Sequence, residues 1–108
     1  MTLEKTLHTL LLRHIEVTEE HSFVFTEHLI ATDPGLVRRS DELEEREIAL
    51  FAACQEAGIL RADLPARWIS GVVYGLLMAG REGLRRGDIA RRELPRLLSE
   101  TFFRGMSR

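Results

Sequence analysis

The sequence predicts an all-α domain of about five helices. Apolar residues return at three- and four-residue steps along most of the chain, which is the signature of helices with one buried face. Helix-breaking and capping residues (Thr32-Asp33-Pro34-Gly35, Gly58, Asp63, Gly87) fall between those stretches. Nowhere does an apolar/polar alternation run long enough to argue for a sheet.

Leu3, Leu7, Leu10, Leu11, Ile15 and Val17 share one side of a helix expected over residues 3–20, with Glu4, Lys5, Arg13, Glu16 and Glu20 on its other faces. Ser22 is placed to cap a second helix over Phe23–Ala31, where Phe23, Val24, Phe25, Leu29 and Ile30 occupy most of the circumference. Asp33 and Pro34 open a third, since proline loses nothing in a first turn whose N–H has no partner. On it Leu36, Leu43, Leu50 and Cys54 share a face flanked by Val37, Ile48 and Phe51, with the acidic run Asp41–Glu47 largely opposite. Gly58 is expected to end this helix in a left-handed conformation.

The fourth helix is expected over about Pro65–Arg86. At 100° per residue, Trp68, Ile69, Val72, Val73, Tyr74, Leu76, Leu77 and Met78 surround nearly its whole axis, more than one face can bury. Gly71, Gly75, Ala79 and Gly83 recur every four residues, a small-residue stripe that admits a close neighbour. Each glycine costs about 1 kcal/mol of helix propensity relative to alanine. A last helix begins near Ala90–Pro95, carries Leu94, Leu97, Leu98, Thr101 and Phe102 on one face, and ends near Gly105.

The length of 108 residues suits one domain, residues 1–108, with a single core. Apolar residues make up 44% and charged residues 30%, a balance of folded, soluble chains rather than disordered tails. The apolar stretch around Trp68–Gly80 is shorter than the roughly 20 residues of a membrane span. No secretory leader pattern opens the chain, so a cytoplasmic location is expected. The single cysteine, Cys54, excludes an internal disulfide and a cysteine-based zinc site. Residues 1–60 hold 12 acids and 5 bases, whereas residues 61–108 hold 5 acids and 10 bases, so the two halves carry opposite charge.

The order of these elements, and their spelling, resembles the C-terminal domain of TetR-type transcriptional regulators. The likeness rests on Thr-Asp-Pro-Gly-Leu at the start of a long acidic helix and on Glu-Ala-Gly-Ile-Leu-Arg-Ala-Asp-Leu-Pro-Ala-Arg-Trp-Ile over 56–69. Gly-Leu-Leu-Met-Ala-Gly over 75–80 and Glu-Leu-Pro-Arg-Leu-Leu-Ser-Glu-Thr-Phe-Phe-Arg-Gly over 93–105 complete it. It implies that the last two helices pair with those of a second copy as a four-helix bundle, while the earlier helices enclose a small apolar or aromatic effector. Family members read DNA through an N-terminal three-helix unit. Nothing before Thr6 supplies one, so this chain is expected to reach DNA only through a domain it lacks.

An effector pocket is expected to be apolar with a few polar groups. Its candidates are His14, Phe25, His28, Phe51, Cys54, Trp68, Tyr74 and Met78. The interface between two copies is expected at Gly71, Gly75, Ala79, Gly83, Leu94, Leu97, Leu98, Thr101 and Phe102. Ordinary core packing is the competing reading for the aromatics, Met78 and Cys54. No metal or cofactor is expected: His14, His21 and His28 recur every seven residues, and none follows a glutamate by the three residues of a di-iron helix or another histidine by the four of a zinc helix. No phosphate loop or nucleophile elbow points to an enzyme. The alternative is a helical interaction protein that forms dimers with itself or with full-length regulators and senses nothing.

Overall fold

Helical periodicity is realised along most of the chain in a computed structural model, which describes residues 2–20 and 34–108, with side chains except at 17–20, 36 and 40. Helices α1 (Leu3–Glu20), α2 (Pro34–Glu56), α3 (Ala66–Arg86) and α4 (Leu94–Met106) follow one another, with a 3-10 turn, Arg91–Glu93, leading into α4. The described residues are all-α, with one isolated antiparallel bridge, Leu60 to Ser107. The helix expected over Phe23–Ala31 lies outside the described residues. No described helix is long and apolar enough to cross a membrane.

Local chemistry sets the helix ends. Thr2 caps α1, its hydroxyl accepting the Lys5 N–H at 3.2 Å. Gly58 and Gly87 both stand in the left-handed region, at φ 78° and 77°. Each closes its helix with a paired return of N–H groups: Ile59 to Cys54 and Gly58 to Gln55 after α2, Asp88 to Gly83 and Gly87 to Leu84 after α3. These bonds satisfy carbonyls that a helix end otherwise leaves open, and glycine adopts that φ without steric cost. Pro95 sits in the first turn of α4. Asp63 does not cap α3; it holds the Arg61 guanidinium through two bonds.

The core gathers Leu7, Leu11 and Ile15 from α1, Phe51 and Cys54 from α2, Leu60 from the α2–α3 loop, Ile69, Val73 and Leu77 from α3, and Leu94 and Phe102 from α4. Burying each large side chain contributes roughly 1.5–3 kcal/mol, so these residues carry most of the stabilisation. Phe102 meets Phe103 edge-on, and Phe103 stacks on His8 at 4.4 Å, tying α4 to α1. The C-terminus is tied to the α2–α3 loop as well: the Arg61 N–H reaches the Met106 carbonyl at 2.7 Å. Gln55 holds that loop from α2 by donating to the Leu64 and Arg61 carbonyls.

Two expectations about inward faces are corrected. Leu43, expected on the buried face of α2, is 57% exposed. A helix of 23 residues runs about 35 Å, and only its later part, from Glu47 onward, meets the core; the turns around Leu43 lie beyond it. Trp68 and Tyr74, expected to line an enclosed pocket, are 61% and 44% exposed. Helix α3 buries Ile69, Val73, Leu77 and Gly80, and its opposite side is left open.

Candidate functional site

Two places on the molecule have functional potential: a cleft between α1, α3 and α4, and the outward face of α3. Three helices supply the cleft because each turns a leucine- or phenylalanine-bearing stripe inward. Its walls are Leu11, Ile15, Val73, Leu76, Leu77, Leu98 and Phe102, and His14 is its one polar side chain. The enclosed volume is about 10 Å³, room for about one water molecule. His14 Nε2 lies 2.7 Å from Glu47 Oε1, both half-buried. That bond joins α1 to α2 beside an apolar wall, and gives the cleft one hydrogen-bonding group that can orient a guest.

Of the expected pocket residues, His14 alone reaches the cleft. Phe51 and Cys54 are fully buried in the core, their rings and thiol packed rather than presented to a cavity; burial raises the Cys54 thiol above its ordinary pKa. Met78 is half-buried on α3, and Trp68 and Tyr74 face out. Phe25 and His28 lie outside the described residues. The cleft residues missed by sequence reasoning were Leu11, Ile15, Val73, Leu76 and Leu77, together with Glu47 beside them. Glu47 stands four residues before Phe51 and seven before Cys54, the spacing of one helix face, and that spacing is the signal that separates it from the exposed acids around it. Among the described residues no three His, Cys, Asp or Glu side chains gather as a metal site.

The outward face of α3 is a different kind of surface. Trp68, Gly71, Gly75 and Ala79 are exposed along it, with Val72 and Met78 half-buried at its margins. Among the described residues, a methyl group added at Gly71 or Gly75 would meet nothing within 4 Å. Other expected interface residues are accounted for inside the chain. Leu94 and Phe102 are 1% exposed and belong to the core. Gly83 lies against Ile89, whose Cδ1 would stand 2.3 Å from an added Cβ, and Leu98 packs near Gly80 on the inward side. Leu97 remains half-buried and Thr101 exposed on α4.

Charge is distributed unevenly around that face. Near its beginning Arg67 is held by Glu45 at 2.8 Å and by Glu44 at 4.0 Å, both from α2. Near its end Glu82 accepts hydrogen bonds from Arg85 and Arg86, which hold its carboxyl down to about 2. Comparison with family models, curated proteins and solved structures finds no match for this chain.

Proposed function

We propose that this chain is the dimerisation and effector-sensing half of a regulator of the TetR type, acting as a symmetric pair. The observation that supports this most is the outward face of α3. A single helix carries a filled apolar side against its own chain and a second apolar side, with Trp68 61% exposed and two glycines against open space. Exposed tryptophan flanked by small residues is costly in water and well suited to a tightly packed partner.

The sensing step belongs to the cleft between α1, α3 and α4. An apolar or aromatic effector would wedge between Leu11, Ile15, Leu76 and Phe102 and take its polar anchor from His14. A cavity of about 10 Å³ is far below the roughly 300–1,000 Å³ of a site for a drug-sized ligand. Entry therefore requires the helices to part, and the effector acts by favouring the parted arrangement in proportion to its differential affinity. DNA control requires a reader domain joined to this one.

The smallness of the cleft favours a second reading, in which the chain pairs with itself or with full-length regulators and senses nothing. Light scattering over micromolar concentrations tests the shared part: a dimer supports both readings, and a monomer throughout overturns the symmetric pair and leaves of the second reading only pairing with full-length regulators. A thermal-shift panel of small aromatic and apolar compounds then separates them. A stabilising compound whose effect His14→Ala removes supports sensing, and a flat panel combined with mixed-dimer formation supports the second reading.

A further inference from the structure

We infer that two copies of this chain pair antiparallel through α3, with the helices crossing at Gly75; the inference rests on the dimer reading above and adds its orientation and register. A twofold interface must be complementary to itself, residue i of one copy meeting j of the other while j meets i. The outward face of α3 has that property about one point. Four residues to either side of Gly75 stand Gly71 and Ala79, and three residues to either side stand Val72 and Met78. An antiparallel crossing centred on Gly75 sets small residue against small residue and apolar against apolar. Moving the centre to 73 or 77 still brings small residues together, but sets Ala79 against Arg67 or Val72 against Glu82.

Sterics favour the same point. Gly71 and Gly75 are exposed, with no atom of the described residues within 4 Å of an added Cβ. Two helices can therefore approach at Gly75 more closely than the usual interaxial 8–10 Å or so. Trp68 and Glu82 lie seven residues to either side of the crossing. In an antiparallel pair the Trp68 ring of one copy covers the Glu82–Arg86 ion pair of the second copy, where the indole face meets a guanidinium.

Charge chooses between the two orientations. The N-terminal end of α3 carries Arg67 with Glu44 and Glu45 from α2, an excess of one negative charge. The C-terminal end carries Arg81, Arg85 and Arg86 against Glu82, an excess of two positive charges. Arg67 and Arg85 lie 18 residues apart, a whole number of helical turns, so both ends project their charge along the same flank. Antiparallel pairing keeps that flank in register and brings unlike ends together twice. Parallel pairing places like against like, and opposes the helix dipoles as well.

Cysteine cross-linking of the full chain tests this. Gly71→Cys and Gly75→Cys occupy open space in the single chain, and Ala79→Cys is an exposed, near-isosteric change, so each variant retains its fold. Cys54 is buried and serves as the unlinked background in the unmodified protein. Under mild oxidation Gly75→Cys is expected to convert to a disulfide-linked dimer, because Cα atoms at the crossing fall within the about 4.4–6.8 Å that a disulfide spans. Gly71→Cys and Ala79→Cys are expected to stay unlinked alone, since each pair of identical positions lies about 12 Å apart along the axis. Mixed together, the two are expected to link, and they keep the central glycine intact. Self-linking at all three positions overturns the orientation while leaving the dimer in place. A dimer by light scattering with no link in any combination overturns the surface. A monomer overturns the dimer reading itself.

Discussion

Four glycines of α3 divide into two pairs with opposite causes. On the inward side, a Cβ at Gly80 would stand 2.7 Å from Leu94 Cδ1, and one at Gly83 would stand 2.3 Å from Ile89 Cδ1. Those positions are small because this chain's own α3–α4 corner leaves no room. On the outward side, Gly71 and Gly75 have no described residue within 4 Å of an added Cβ, yet each costs about 1 kcal/mol of helix propensity relative to alanine. Among the described residues nothing offsets that cost. The comparison teaches that a residue's surroundings within one copy can explain half of a helix and leave the other half to be explained by a partner.

Substitutions can break or sharpen this contrast. The largest effect is expected for Phe102→Ala, which empties a fully buried aromatic site: chemical denaturation should show a loss of about 3–5 kcal/mol, and a much smaller loss would mean the inward side is not the core. Trp68→Ala is expected to leave the folding of the single chain nearly unchanged, since the ring is largely exposed. It should instead weaken self-association by about 2 kcal/mol, roughly 30-fold in Kd, as measured by sedimentation. Equal stability loss at Trp68 and Phe102 would erase the distinction between the two sides.

Alanine at the glycines gives a finer comparison. At Gly80 the added methyl meets Leu94, itself 1% exposed and without room to turn. Overpacking of about 1–3 kcal/mol outweighs the propensity gain of about 1 kcal/mol, so Gly80→Ala should lower stability. Gly71→Ala meets no such neighbour, and at concentrations where the chain is monomeric it should raise stability by up to about 1 kcal/mol. Thermal melts at two concentrations read both signs.

Much of the fold was legible. Helical periodicity, the breaks at Gly58 and Gly87, and proline in the first turns of α2 and α4 follow from backbone chemistry that acts within a few residues, and the structure repeats them. The orientation of α3 was not legible, because Trp68, Val72 and Met78 are as apolar as Ile69, Val73 and Leu77; only the placement of α1, α2 and α4 decides which set is covered. Leu43 was misplaced for a related reason: a wheel gives the face of a residue, and not how far along the helix the core extends. The His14–Glu47 pair depends on two helices 33 residues apart in sequence, which spacing within one helix does not reveal.

The smallest effect concerns acid. The Glu82 carboxyl, held to about 2 by Arg85 and then Arg86, has an ordinary value of 4.5. A depressed carboxyl adds stability above its unfolded value and loses it as pH falls from 4.5 toward 2. The side chain is half exposed and its partners lie in solvent, so salt screens it. Glu82→Gln should flatten this part of the acid-unfolding curve, and lower the neutral-pH melt by the same small, salt-sensitive amount.

Trp68 is the chain's single tryptophan, and it stands on the outward face of α3. Its emission spectrum and acrylamide quenching, followed from nanomolar to high micromolar protein at constant pH and salt, therefore report directly on whether a second copy covers that face. A covered face predicts a blue shift and a fall in quenching that follow the same concentration dependence as the mass. An indole that stays red-emitting and freely quenched at every concentration would contradict it.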